Sequence, residues 1–252
     1  MIIIAVANQK GGAGKSTTAA NLAAAFARMD HDVLVIDLDS YGRATDILHP
    51  RDRPVEWSAD MLFEGMSPSE LYVPSTEKGV YIIPSSPDLV EREHKLYDLP
   101  GRERKLRNAL DNDPLMQEFD FIILDTPPHL GQMLTNAITA ADRIIVPVAD
   151  YCSMESTEYL RALIEVVESS DNTLRSKDYL LTKYNDRKNI SQVVRSELSA
   201  IVGSSLLEST IPVNVRLEEA PLFNKSVFSI DDTCKGALAY KAVAEELLSR
   251  WS

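Results

Sequence analysis

Cysteine is scarce in this sequence, and its scarcity argues against a scaffold built on disulfides or metal clusters. The two cysteines, Cys152 and Cys234, lie far apart and have none of the short spacings typical of zinc or iron–sulfur sites. We therefore predict two buried, unpaired thiols, as expected for a protein of the reducing cytosol.

Long apolar runs and an excess of basic residues are missing as well. No uninterrupted apolar run approaches the roughly 18 residues of a membrane-spanning helix, and the opening residues MIIIAVAN lack the basic region of a signal peptide. The net charge of -12 argues against nucleic-acid binding over the whole surface. Residues 173–252, however, hold eleven Lys and Arg against ten Asp and Glu, so a local basic patch can still form there.

Apolar strand-like runs alternate with helical patterns along the chain. Most of these runs are continuously apolar, which is typical of a sheet covered on both faces, and the alternation predicts parallel strands with right-handed crossovers. We therefore predict one α/β domain over residues 1–252, with a mostly parallel twisted sheet flanked by helices on both faces. The Pro- and Ser-rich stretch Pro50–Pro87 is expected to form an irregular surface region. The predicted strands are Ile2–Ala7, Val33–Ile36, Tyr81–Ile83, Phe121–Leu124, Arg143–Val148 and Tyr179–Leu181, and the predicted helices are Lys15–Arg28, Arg102–Gln117, Gln132–Ala140, Ser156–Glu168, Ile190–Ala200 and Gly236–Ser249.

A glycine-rich segment, NQKGGAGKST at residues 8–17, follows the first predicted strand and leads into an alanine-rich helix. This order of strand, glycine loop and helix is the context in which a phosphate-binding loop is credible. Gly11, Gly12 and Gly14 would let backbone N–H groups turn inward and approach phosphate oxygens without Cβ clashes. The segment therefore predicts a nucleotide triphosphate site.

The start of the following helix supplies the charged and hydroxyl groups of this predicted site. Its unpaired N–H groups and positive dipole end attract phosphate. We predict that Lys15 contacts the β- and γ-phosphates, that Ser16 ligates magnesium and that Thr17 makes a further phosphate contact. Together with Ala13, these residues predict binding of ATP and Mg²⁺.

Three aspartates follow predicted strands and complete the candidate site. Asp37 and Asp39 are two residues apart at a strand's carboxyl end, so both point toward the edge where α/β sheets bind ligands. One of them can order magnesium-bound water and the other the attacking water. Asp125 ends the apolar strand Phe121–Leu124 and is a candidate magnesium group acting through water.

The loop resembles the deviant Walker A motif, KGGxGK[ST], of the ParA/MinD family of ATPases. In that family the extra lysine, here Lys10, reaches across a dimer interface to the partner's nucleotide. The segment DLDSYGRAT (Asp37–Thr45) resembles the family's switch I, and Asp39 occupies the position of the family's catalytic aspartate. Ser40, Tyr41 and Arg43 depart from the family's Pro, Gln and Asn, which concerns hydrolysis rate and interface packing rather than nucleotide binding.

The resemblance continues to the far end of the chain. Asp125–Pro128 (DTPP) is similar to the family's switch II, and IPSSPDL, TKYNDRKN and TIPVNVRLEEAPLFNKSV resemble three further family segments. The chain looks most like the small ParA/Soj-type partition ATPases, which have a P-loop NTPase fold of the SIMIBI class. That resemblance implies an adenine site formed by Asn185, Pro212 and Val213.

The resemblance also implies a function in the cytoplasm, associated with the nucleoid. Small partition ATPases bind nonspecific DNA as ATP-bound homodimers, and a ParB-like or cargo-adaptor protein stimulates hydrolysis. They use Lys and Arg to contact phosphates, although this chain has Val213 where the family often has arginine. The alternative is that the Lys and Arg residues in the C-terminal third of this chain are only solvated charges on an acidic protein. The candidate DNA-binding residues are Lys183, Arg187, Lys188, Arg216 and Lys225.

Two other functions are compatible with the same scaffold. A MinD-like regulator would bind a membrane surface through its last helix, but the polar face of Gly236–Ser249 carries Glu245 and Glu246, so we expect this helix to pack against the sheet. A metabolic ATP-dependent enzyme would need a small-molecule pocket, which Tyr41 and Arg43 could line. Iron–sulfur relatives are excluded because neither cysteine lies near a switch.

Overall fold

Seven strands form a single sheet in the part of the chain that the structure, a computed structural model, describes, namely residues 1–169 and 174–252. In chain order the strands are β1 (Ile2–Val6), β2 (Val33–Asp37), β3 (Val73–Pro74), β4 (Val80–Ile83), β5 (Phe121–Asp125), β6 (Arg143–Val148) and β7 (Ser176–Leu181). Their order across the sheet is β3-β4-β2-β5-β1-β6-β7. The five central pairings are parallel, and β3 pairs antiparallel with β4 at one edge, where Pro74 is tolerated because an edge strand can lack an N–H donor.

Helices cover both faces of this sheet, as predicted. Ile3 and Ala5 of β1 point into one core, and Ile4 and Val6 point into the other, because successive side chains of a strand alternate. The first core is closed by α3 (Pro68–Leu71), α4 (Leu89–Leu96), α5 (Lys105–Asp111), α6 (Gln132–Ala140), α7 (Tyr151–Glu155), α8 (Thr157–Glu168) and α9 (Asn189–Val202). The second is closed by α1 (Lys15–Ala27), α2 (Arg43–Leu48), α10 (Val215–Phe223), α11 (Val227–Asp231) and α12 (Lys235–Trp251).

The carboxyl ends of β2, β5 and β1 lie side by side in the middle of the sheet. Asp37 pairs in register with Asp125, and Asp125 pairs in register with Val6. Because these strands are parallel, the loops that leave them emerge at the same edge of the sheet. The sheet thus brings the glycine loop and two of the predicted carboxylates together.

The predicted helix Arg102–Gln117 is wrong as one element. The structure divides it into a 3₁₀ turn (Arg102–Arg104), α5 and a second 3₁₀ helix (Pro114–Glu118). Pro114 lacks the N–H that a continuous helix needs, and the carboxylate of Asp113 caps the new start by accepting from the N–H of Leu115 at 3.1 Å. The stretch Pro50–Pro87 contains the predicted strand as β4, and it also contains regular structure that was not predicted, namely a 3₁₀ helix (Ala59–Glu64), α3 and β3.

The prediction of two buried thiols is wrong. Cys152 is exposed on α7, and Cys234 is partly buried. Both residues lie at helix starts. Cys234 packs against the edge of the second core, and its sulfur accepts a hydrogen bond from the N–H of Ala237 at 3.5 Å. Helix termini leave N–H groups without intrahelical partners, which accounts for a polarisable sulfur at this position.

The last helix packs as predicted. Tyr240, Val243 and Leu247 of α12 are almost fully buried against α1 and the sheet, and the Tyr240 hydroxyl lies 3.1 Å from Oγ1 of Thr18. The apolar side of α12 is therefore occupied within the fold. Across the two described ranges, no helix combines the length and apolarity needed to cross a membrane.

Candidate functional site

The glycine loop turns sharply between β1 and α1. Gly12 and Gly14 have φ values of 80° and 95°, in the left-handed region that residues with a Cβ rarely adopt. Gly11 lies outside that region, and an added Cβ there would meet no described atom within 4 Å. The turn itself therefore requires glycine at two of the three predicted positions. At position 11, glycine would be required only if a ligand approached the backbone closely.

Two buried polar side chains hold this loop in place. Asn8 is fully buried, and its amide donates to the carbonyl of Pro147 at 2.7 Å. Its Oδ1 accepts from the backbone N–H of Lys10 at 2.9 Å. On the other side, the Thr182 hydroxyl donates to the carbonyl of Ala13 at 2.7 Å. The loop is thus tied to the ends of β6 and β7 by hydrogen bonds within the protein.

The Lys15 ammonium is buried close to two carboxylates. Lys15 is 6% exposed, and its Nζ reaches the carbonyl of Lys10 at 3.5 Å. Burial lowers the pKa of Lys15, while the negative charges of Asp125 and Asp39 oppose that shift. A buried ammonium at a helix start, beside a loop of inward-turned backbone, is an arrangement that attracts phosphate. Ser16 and Thr17 lie next to it, partly exposed, on the first turn of α1.

Asp37 is fully buried and holds switch I. Its Oδ2 accepts from the N–H and the hydroxyl of Thr45 at 2.8 and 2.7 Å, and its Oδ1 accepts from the N–H of Asp39 at 3.2 Å. Burial raises the pKa of Asp37 to about 7, although the hydrogen bonds from Thr45 oppose the rise. Asp39 is 7% exposed and accepts from the N–H of Tyr41 at 3.1 Å.

Asp125 differs from Asp37 because its carboxylate is unsatisfied. Both of its oxygens are buried, and neither has a hydrogen-bond partner among the described residues. Burial raises the pKa of Asp125 well above its usual value, and the neighbouring Asp37 adds to the rise. The hydroxyl of Ser16 and the ammonium of Lys15 are near enough to oppose it, but the hydroxyl does not meet hydrogen-bond geometry. An orphaned buried carboxylate needs a cation or a proton.

These oxygen donors fit magnesium. Ser16, Asp37 and Asp125 offer a hydroxyl and two carboxylates, and Mg²⁺ is usually held by one or two carboxylates together with waters and substrate phosphates. Within residues 1–169 and 174–252, no cluster of three or more His, Cys, Asp or Glu could hold a metal by itself. The residues present therefore fit a magnesium ion that is completed by phosphate and water.

We expect Asp125→Asn to stabilise the protein in buffer without metal or nucleotide. The folded-state pKa of Asp125 lies above its unfolded value. The destabilisation that comes from burying the ionised carboxylate is therefore absent below about pH 4 and grows as the pH rises. The gain in unfolding free energy should therefore be larger near pH 8 than at pH 5. Urea denaturation at pH 5, 6.5 and 8 measures this gain, with Asp46→Asn, an exposed carboxylate, as the control. A gain that is the same at every pH would contradict the prediction.

The predicted adenine residues lie together on two neighbouring loops. Tyr184 and Pro212 form a bridge, in which the N–H of Tyr184 donates to the carbonyl of Ile211 at 2.9 Å. Asn185 is partly buried, and its Oδ1 accepts from the N–H of Arg187 at 3.0 Å. Val213 is 56% exposed. Because Thr182 on the first of these loops bonds to Ala13, both loops adjoin the glycine loop.

The candidate DNA-binding residues separate into two groups. Lys183, Arg187 and Lys188 are exposed on the loop after β7. Arg216 lies in the first turn of α10, after the loop that contains Pro212. Its guanidinium donates to Glu219 at 2.8 Å, and this neighbouring negative charge reduces the positive charge that Arg216 can offer to DNA. Lys225 lies beyond the other end of α10, about 13 Å along the chain axis from Arg216. Lys183, Arg187 and Lys188 thus lie on a loop that is bridged to the one before Arg216, whereas Lys225 follows the other end of α10.

Four residues that position the site were not predicted as such from the sequence. Asn8, Thr45, Thr126 and Thr182 all make hydrogen bonds that fix the loops, such as the one from the Thr126 hydroxyl to the carbonyl of Val6 at 2.8 Å. Three of them carry a signal in the sequence, because they are among the first polar residues after β1, β5 and β7. Thr45 carries no such signal, because only folding of switch I brings it to Asp37.

Comparison with known proteins places this geometry in context. A family model described as an AAA domain, AAA_31, matches residues 1–180. The chromosome-partitioning ATPase Soj of Thermus thermophilus is 40% identical over 249 residues, covering 98% of this chain and 95% of that protein. The chromosome partitioning protein ParA of Myxococcus xanthus is 36% identical over 251 residues, covering 98% of this chain and 88% of that protein. A crystal structure of cobyrinic acid a,c-diamide synthase from Mycobacterium smegmatis, with bound ADP and magnesium, matches with a TM-score of 0.84 at 30% identity over 100% of this chain and 95% of that chain.

Proposed function

Because this chain belongs to the family of ParA- and Soj-type chromosome-partitioning ATPases, we propose that it hydrolyses ATP to control its own dimerisation. In the ATP state the dimer binds nonspecific DNA, and hydrolysis stimulated by a ParB-like or cargo-adaptor partner releases it. The protein thereby positions DNA or another cargo in the cytoplasm, on the nucleoid.

The observation that carries this proposal is the buried Lys15, which stands between the glycine loop and an unsatisfied Asp125. Gly12, Gly14 and the first turn of α1 would hold the phosphates. Asn185, Pro212 and Val213 would line the adenine. Magnesium, when bound, supplies neutralising charge at the β- and γ-phosphate oxygens.

The residues of the chain have separate roles in hydrolysis. Ser16 would ligate magnesium, and Asp37 and Asp125 would accept from its waters. Lys15 would stabilise charge as it develops on the phosphate oxygens, and Asp39 would orient the attacking water. Lys10 of a second copy of this chain would reach the same phosphates, so that each site is completed only in the dimer.

DNA binding is the property that tests this function most directly. Fluorescence anisotropy of a labelled duplex of arbitrary sequence, measured with ATP, ADP or no nucleotide over a salt series, should show binding in ATP alone. The affinity should fall steeply with salt, because each neutralised phosphate contributes about 0.9 to the slope of log K against log [salt]. Arg187→Ala should reduce that slope by about one.

The matched control is Arg104→Ala, an exposed arginine outside the candidate cluster, which should leave the slope unchanged. Equal binding without nucleotide would contradict an ATP switch. If the protein does not bind the duplex in ATP even at low salt, the proposed DNA binding is contradicted, but the proposed ATP hydrolysis is not.

The two alternative functions receive less support. Tyr41 is 76% exposed, and the Arg43 guanidinium pairs with Asp46 at 3.1 Å, so neither side chain is shaped into a substrate pocket beside Lys15. Substrate-dependent ATP turnover without any response to DNA would nevertheless favour a metabolic enzyme. A membrane role through α12 would require the burial of Tyr240, Val243 and Leu247 to be undone.

A further inference from the structure

Glu93 of α4 contacts the start of α6 and the loop that contains switch II, Asp125–Gly131. Its side chain is 13% exposed. One carboxylate oxygen lies 2.8 Å from Nε2 of His129, and the other accepts from the N–H of Met133 at 3.0 Å. The N-cap residue of α6 is Gly131, which has no side chain to cap this helix, so Glu93 provides the cap from a different element.

The fit between Glu93 and this loop is close. A Cβ on Gly131 would lie 2.2 Å from a carboxylate oxygen of Glu93. The backbone of Gly131 is extended, so its conformation alone does not call for glycine. A larger residue at this position would therefore displace the Glu93 carboxylate from its present place. The absence of a side chain at Gly131 thus leaves the space that the Glu93 carboxylate occupies.

Glu93 is the last residue of the segment Ser85–Glu93, and the first residue, Ser85, is bonded to switch I. The Ser85 hydroxyl donates to the carbonyl of Asp39 at 2.6 Å, and the Ser85 N–H donates to Oγ1 of Thr45 at 2.9 Å. That same Thr45 hydroxyl donates to Asp37. Ser85 therefore supports both carboxylate positions of switch I.

The segment between these ends, Ser85–Glu93, is fixed along its length, and we name it the connector. The Ser86 hydroxyl donates to Asp60 at 3.0 Å, Leu89 is buried in the core, and Arg92 pairs with Glu64. A segment held at several points moves as a unit more readily than it bends. The two switches are therefore joined through one packed segment, which is the physical route by which they could be coupled.

We propose that the connector couples the two switches and that Glu93 is a positioning residue for hydrolysis, acting through His129 and the start of α6. This inference rests on the proposed ATPase function. Glu93 sets where Asp125–Gly131 lies relative to Asp39, while the glycine loop holds the nucleotide independently. Loss of Glu93 should consequently impair the chemical step and spare nucleotide binding.

The test compares ATP hydrolysis by full-length variants at saturating ATP and across an ATP titration. Glu93→Ala should lower kcat by about 10- to 100-fold, the effect of a small misplacement of reacting groups, and leave KM for ATP within about a factor of two. Glu93→Gln, which keeps an acceptor for the Met133 N–H, should recover most of the activity. Glu91→Ala is the matched control, because Glu91 lies on the same helix but is 71% exposed and pairs only with Lys95.

Ser85→Ala removes the bond to Asp39 at the other end and should by itself lower kcat while leaving KM for ATP within about a factor of two, so the inference stays testable even if Glu93→Ala folds poorly. The loss in the Ser85→Ala/Glu93→Ala double variant should be smaller than the product of the two single losses. Multiplicative losses, an unchanged kcat in Glu93→Ala, or a fall in kcat matched by Glu91→Ala would overturn the connector. A wild-type protein that neither binds nor hydrolyses ATP would instead refute the proposed function.

Discussion

Replacing Lys15 by alanine is expected to reduce ATP hydrolysis by at least about 10²- to 10³-fold, the cost of removing one preorganised donor from a charge-stabilising site. Lys15 is the buried cation of the candidate site, and Asp125 and Asp39 are the nearest negative charges. Without its ammonium, these carboxylates would face the phosphates directly, and their repulsion would weaken ATP binding as well. Both KM and kcat should therefore change, unlike the pattern expected for Glu93→Ala.

Hydrolysis assays and binding of a fluorescent ATP analogue measure this effect. Lys241→Ala is a suitable control, because Lys241 is 60% exposed on α12 and pairs with Glu245 at 3.9 Å. A Lys15→Ala protein that is folded and hydrolyses ATP at the wild-type rate would refute the assignment of this loop as the catalytic site.

The second large effect is expected for Lys10→Ala on dimer formation. Lys10 is exposed at the top of the loop, and no residue in the described part of the chain pairs with its ammonium. The loop uses its backbone instead, since the N–H of Lys10 bonds to Asn8 and its carbonyl accepts from Lys15. The exposed side chain is thus available to a second subunit.

If Lys10 completes the site of a second copy, its loss should weaken the ATP-dependent dimer by about 2–5 kcal/mol, as for one partner of a buried charge pair. Nucleotide binding by the monomer should persist. Sedimentation velocity with ATP and with ADP separates these outcomes, and Lys78→Ala, an exposed lysine just before β4 at the opposite edge, is the control. An undiminished dimer in Lys10→Ala, or a wild-type protein that stays monomeric at saturating ATP, would contradict the shared site.

Much of the fold could be predicted from the sequence because its strands are short, apolar and clearly bounded. The bounds of β6 and α6 agree with prediction at both ends, and the other predicted strands differ by one to three residues. The predictions failed where local chemistry competed with periodicity, as at Asp113-Pro114, which ends one helix and starts another. They also failed for α2 and β3, which are too short to show a period.

The nucleotide loop was determined by sequence alone, because its function depends on backbone conformation and on residues that are adjacent in the chain. Glycines, lysine and serine in that order after a buried strand leave few other structures available. The tertiary structure decided everything that depends on distant residues. Among the described residues, it left Asp125 unsatisfied while satisfying Asp37 through Thr45, and it left the Lys10 side chain exposed.

The connector is the clearest case of a feature that only the tertiary structure reveals. Ser85, Glu93 and His129 carry no motif that relates them, and they lie up to 44 residues apart in the chain. Ser85 contacts switch I and Glu93 contacts His129 because parallel strands bring the carboxyl ends of β2, β4 and β5 to one edge of the sheet. Sequence patterns encode local geometry, whereas the choice of partner for a buried carboxylate is made by packing.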